Sequence, residues 1–198
     1  MTKRRITVIA AMMLTGIVAV AIVCLTAWPP DWWMLHIPSA ILAYAGFWGC
    51  IVINFGLLFR KPWSETLADV FCEIGLVFAA MTMLSGALWA HGAWGAPWVW
   101  EPRLTGTFLM TFIFLSWRMS RPWLKGRRLG KAPASAALIV LGLPAMAFTH
   151  LAARWMGGVH PAGLHGFGQI TLDILAMCFV AMAAFGGAAF VWRTSSAE

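Results

Sequence analysis

The sequence predicts an all-α polytopic membrane protein: six transmembrane helices with a short Trp-rich interfacial element on the outer face. Of its 198 residues 61% are hydrophobic and only 11% are charged, less than half the roughly 25% of an ordinary soluble domain. Six spans of ~20 residues use about 120 apolar positions, nearly the whole hydrophobic content of the chain. All the Lys and Arg lie between or beside long apolar runs rather than within them. Residues 1–198 are therefore read as one six-helix membrane domain.

The runs follow in order. Ile6–Trp28 comes after Lys3, Arg4 and Arg5 and holds no charge. The apolar core of a signal peptide is ~7–15 residues, so this longer run is expected to stay as a helix. Ile37–Phe59 and Leu67–Ala90 are each long enough to span. Leu104–Trp117 is short, and the residues before Leu104 must help it cross. Ala132–Ala153 and Gln169–Trp192 are rich in Ala, with Gly186–Gly187 in the second, a composition suited to close helix packing.

The connectors set the orientation. Twelve of the fourteen Lys and Arg lie in Lys3–Arg5, Arg60–Lys61, the basic run over 118–131 and Arg193. Only Arg103 and Arg154 fall on the opposite side. Cytoplasmic loops carry such an excess, so both termini are expected in the cytoplasm. The same placement explains the net charge of +7 without nucleic acid. Cys24, Cys50, Cys72 and Cys178 are isolated in apolar runs, and no CxxC exists. A disulfide scaffold, a thioredoxin-like site, a zinc ribbon and covalent c-type heme attachment are all poor fits.

The chemistry gathers on the outer side. All five histidines map there: His36, His91, His150, His160 and His165. So do Trp28, Trp32, Trp33, Trp89, Trp94, Trp98, Trp100 and Trp155. An interfacial Trp ordinarily anchors a helix, but an anchoring belt decorates both faces. The densest patch is WGAPWVWEPRLT, residues 94–105, a poor transmembrane helix but a suitable rigid aromatic surface. Arg103 suits an anionic group because its planar fork matches carboxylates. Glu101 is placed to orient Arg103 or a partner, or simply to pair with it. Imidazoles, aromatic faces and scarce Arg together suggest heme, whose iron takes His axially. His36 and His160, on separate outer segments, make a two-sided clamp feasible.

Three segments carry a resemblance. WGAPWVWEPRLT resembles the tryptophan-rich motif of the CcmC family of cytochrome c-type biogenesis proteins, also called heme exporter protein C. MLHIPSA at 34–40 is similar to that family's first histidine segment, and THLAARWMGGVHPAG at 149–163 to its second. The resemblance implies that His36 and His160 are the axial ligands of non-covalent heme b. It implies that Trp94, Trp98, Trp100 and Arg103 hold the heme; Glu101, within the same motif, is read with them, and the propionates are expected near Arg103 and Arg154. The implied partners are the ABC-type exporter subunits CcmA and CcmB, the small subunit CcmD and the periplasmic heme chaperone CcmE, in the bacterial inner membrane. Glu101 stands where the family usually has Asp, and Gly157, Gly158 and Pro161 replace bulkier or amide-bearing residues. His165 and His150 are the other candidates for the second ligand.

The chain is read as a protein that binds and hands on heme. It need make or break no bond of the cargo itself, but the covalent link of heme to the chaperone is expected to form while heme is held here, which leaves a catalytic part open. A b-type electron-transfer cytochrome would place His pairs within the spans, and a small-molecule transporter would have a midplane site with broken helices. Asp69 and Glu73, four residues apart on one helix face, and Asp173 are carboxylates within spans. They are read as structural groups near the span ends rather than as a proton relay.

Overall fold

In lipid the backbone of an apolar run must satisfy its own polar groups, and a helix does so within one segment. The computed structural model describes residues 3–26, 32–59, 65–124, 132–160 and 169–195, and among these it is all-α with no strand. The helices are α1 (Lys3–Thr26), α2 (Trp33–Leu58), α3 (Glu65–Trp94), α4 (Pro102–Ser120), α5 (Ala132–Trp155) and α6 (Gln169–Ser195), with a 3₁₀ turn at Pro122–Leu124.

Four of them are long and apolar enough to cross a membrane: α2, α3, Ala132–Ala152 of α5 and Leu172–Thr194 of α6. In α1 only a shorter apolar stretch, Ile9–Val18, is found among the described residues. Helix α4 is 19 residues long and carries Arg103 and Arg118 in its first and last turns. The expected six helices are present, and four of them meet the requirements of a span.

Helix ends depart from the apolar runs for local reasons. Helix α3 runs past Ala90 to Trp94, where Gly95 at φ 76 donates its N–H to the His91 carbonyl and stops it. Helix α5 continues through Arg154 and Trp155 until Gly157, at φ 69, ends it. Helix α4 starts at Pro102, where a missing N–H costs nothing, with Glu101 as its N-cap.

The chain falls into two units. The first comprises Met1–Ala43, Val77–Pro97 and His165–Glu198. In it α1 packs along α6. Met34, Ile174 and Cys178 form a small core with Trp33 and Met177 against it.

The second unit comprises Tyr44–Leu76 and Trp98–Leu164. There α4 packs on α5, and α2 meets α3 closely enough that a Cβ on Gly46 would stand 2.6 Å from the Gly75 Cα. Phe47 stacks on Phe114 with ring centroids 4.0 Å apart. The buried amide of Asn54 is satisfied by the Cys50 carbonyl at 2.9 Å and by Ser135, which donates to its Oδ1 at 2.6 Å.

The same unit accounts for two of the carboxylates. Glu65, Asp69 and Glu73 are spaced by four, hence on one face of α3. Glu73 pairs with Arg118, whose Nε donates at 3.0 Å. Arg121 donates to Asp69 at 2.8 Å and to Glu65 at 3.2 Å, and its guanidinium lies 5.0 Å from the centre of the Trp117 ring. Asp69 and Glu73 are thus structural partners of two arginines. Asp173 is exposed on α6.

Candidate functional site

His36 sits in the first turn of α2, within the first unit. Its Nδ1 lies 2.9 Å from the Thr82 carbonyl oxygen of α3. A carbonyl only accepts, so Nδ1 carries a proton, and in the neutral ring Nε2 carries the lone pair. This is the tautomer a metal-binding imidazole adopts when a backbone carbonyl orients it. The ring can approach because α3 has a glycine there: a Cβ on Gly86 would stand 2.7 Å from His36 Nδ1. Beneath the ring, Thr82 Oγ1 donates to Ser39 Oγ at 3.0 Å, and Ser39 donates to the Leu35 carbonyl at 2.7 Å. These bonds tie the first turn of α2 to α3.

The Trp-rich segment is not one element. Trp94 closes α3, edge-on to Trp89 at 5.2 Å. Residues 95–101 form a non-helical bridge. Trp98 and Trp100 belong to the second unit, edge-on to each other at 5.6 Å, and Trp100 folds back over α4 to meet Phe108 at 6.1 Å. Trp100 is 71% exposed, so a broad aromatic face is presented. The indole Nε1 of Trp98 is buried without a hydrogen-bond partner among the described residues. The expected short interfacial element is therefore a bridge pinned at both ends, by the Gly95 turn and the Glu101 cap.

Glu101 is only 6% exposed. Its Oε1 accepts from the Leu104 N–H at 2.6 Å. A carboxylate here also complements the positive end of the helix dipole. Arg103 follows in the first turn, half-buried, and adds positive charge where the helix already attracts anions. Its carbonyl accepts from Thr107 Oγ1 at 2.9 Å.

The second histidine lies in the same unit as Trp98, Trp100, Glu101 and Arg103. His160 is half-buried at the end of a short stretch that leaves α5 through Gly157 and Gly158. That stretch meets the Trp-rich bridge directly: a Cβ on Gly158 would overlap Glu101 Oε2. Arg154 is exposed in the last turn of α5, where a cation complements the helix dipole. His91 and His150 are exposed on α3 and α5. His165 lies outside the described residues, as does Pro161.

The donor set suits heme. By residue type, the first unit supplies an imidazole held by a carbonyl, and the second an exposed indole face at Trp100 and arginines for carboxylates, the groups a porphyrin iron, its flat ring and its propionates require. Sequence reasoning singled out the histidines but not Thr82, Gly86 and Ser39, which hold His36. The only local signal for them is the Ser85–Gly86 pair inside an apolar run.

A family profile described as CcmC, heme exporter protein C, matches residues 1–174. Heme exporter protein C of Escherichia coli K12 is 26% identical over 127 residues, 64% of this chain and 51% of that protein. Its namesake in Bradyrhizobium diazoefficiens is 28% identical over 146 residues, 70% and 53%. Cytochrome c biogenesis protein CcsA of Thermosynechococcus vestitus is 33% identical over 115 residues, 55% and 33%. The chain spans about half the length of the curated heme exporter proteins it matches.

Proposed function

We propose, on the premise that the chain belongs to the heme exporter protein C family, CcmC, that it is a heme-handling membrane subunit of cytochrome c maturation. It holds non-covalent heme b as cargo at the periplasmic face of the bacterial inner membrane. All six helices cross as one membrane domain, with both termini in the cytoplasm. His36 and His160 ligate the iron, Trp94, Trp98 and Trp100 support the ring, and Arg103 and Arg154 meet the propionates. Glu101 belongs to the same site. The partners are the ABC-type subunits CcmA and CcmB, the small subunit CcmD, and the chaperone CcmE, which receives the heme.

The observation that carries this reading is the setting of His36. Its Nδ1 is held by a main-chain carbonyl of a second helix, and Gly86 admits the ring. A part-buried imidazole of any role satisfies its N–H in this way, and an axial ligand uses the same bond to fix the ring while its other nitrogen meets iron. A b-type cytochrome is less well supported, since His36 and His91 stand in the end turns of their helices.

Two experiments follow from this reading. Gly86→Val puts a branched side chain where the His36 ring lies. Heme affinity of the purified protein, titrated by absorbance, is expected to fall roughly 10–100-fold, as when an orienting partner of a metal ligand is lost. An affinity equal to wild type removes the support that Gly86 lends to the ligand assignment. In cells making the complete maturation system, Trp98→Ala/Trp100→Ala is expected to abolish covalent heme on CcmE while the protein still reaches the membrane. Undiminished chaperone loading would point instead to a purely organising subunit.

A further inference from the structure

Glu101 is a buried acid only half of whose carboxylate is engaged. Oε1 caps α4, while Oε2 is buried with no hydrogen-bond partner among the described residues. An N-cap alone does not call for glutamate, because Asp, Asn, Ser and Thr cap better with shorter side chains. The extra methylene carries Oε2 onward to the backbone of Gly158. A Cβ at that position would overlap Oε2 and stand 3.2 Å from Cδ. The Gly158 backbone, at φ +149, is itself one that side-chain-bearing residues rarely adopt. The acid and the missing side chain thus occupy one another's volume, two residues before His160.

We propose that Glu101 is the positioning residue for the His160 segment. Its carboxylate fills the space Gly158 leaves open and sets the 157–160 backbone in register with the N-terminus of α4 and the Trp98–Trp100 bridge. Glu101 need not touch the cargo. It acts through His160, and that part rests on the proposed function, whereas the fit between Glu101 and Gly158 does not.

The test is a double-mutant cycle on the full chain in detergent: wild type, Glu101→Asp, Gly158→Ala and the double variant, with His160→Ala as reference. Thermal midpoints are measured without heme. Visible spectra are recorded with heme, with and without imidazole. Gly158→Ala is expected to lower the midpoint by about 4 °C. It should also move the heme spectrum from low-spin toward the spectrum of His160→Ala, with imidazole restoring the low-spin form. Glu101→Asp keeps α4 capped, so its midpoint stays near wild type while its heme becomes sensitive to imidazole. A residue that only capped the helix would not produce that sensitivity. In the double variant the shorter acid withdraws from the new methyl group and part of the midpoint lost in Gly158→Ala returns.

Additive midpoints would overturn the fit, and an imidazole-insensitive Glu101→Asp would overturn the positioning role. If His160→Ala leaves the heme spectrum unchanged, His160 is not a ligand and the ligation role of Glu101 falls with it. The heme-free cycle still decides the contact. If Gly158→Ala alone cannot be recovered from membranes, recovery of the double variant supports the fit, and failure of both counts against it.

Discussion

Replacing His36 with alanine is expected to remove most of the Soret absorbance of the purified protein. The loss should exceed the roughly 10–100-fold that follows from disturbing a ligand's supporting shell, because here the ligand itself goes. His36→Gly is the sharper variant, since it leaves a space bounded by Gly86 and the Thr82 carbonyl that free imidazole can enter. Added imidazole is then expected to restore the low-spin spectrum. Heme per protein, counted after extraction into pyridine, gives the occupancy independently of band shape. Unaltered stoichiometry in His36→Ala would falsify the assignment of the first ligand.

The second large effect concerns stability rather than cargo. The Arg121 side chain is only 4% exposed, lies over Trp117 and bridges Asp69 and Glu65 of α3. Breaking a buried ion pair from one side costs about 3–5 kcal/mol. The carboxylates here are more exposed, at 22% and 47%, so about 3 kcal/mol is expected for Arg121→Ala after allowance for solvent. For a chain of this size that lowers the thermal midpoint by roughly 6–12 °C. Arg121→Lys keeps the charge but loses the planar fork and the stacking, and should fall between. A midpoint for Arg121→Ala within about 2 °C of wild type contradicts the role given to this cluster.

Much of the fold was legible because lipid leaves an apolar run few alternatives to helix. The ends were less so. Trp94, Arg154 and Trp155 read as loop residues, yet their helices continue until Gly95 and Gly157 supply the left-handed turn that ends them. The charged cluster was half legible: the spacing put Asp69 and Glu73 on one face, but Arg118 and Arg121 were counted with the basic loop. Their side chains turn instead to α3, a contact 45 to 56 residues away in sequence.

The site divides the same way. His36 stood out by its type and place, but its partner is a main-chain carbonyl 46 residues away, which no side chain at that position announces. Gly86 and Gly158 matter for what they lack, and a glycine in a run of small residues carries no mark of the side chain it accommodates. Glu101 is a candidate from the sequence by its place in the Trp-rich segment. Its cap on α4 and its fit against Gly158 became visible only once α5 was placed beside α4.

The most direct test of two histidines on one iron is the visible spectrum of the wild-type protein, purified in detergent and loaded with heme, before and after imidazole. Bis-histidine ligation predicts a sharp low-spin spectrum that added imidazole leaves unchanged. A protein that takes up no heme, or one whose heme is high-spin until imidazole supplies the missing ligand, would contradict it.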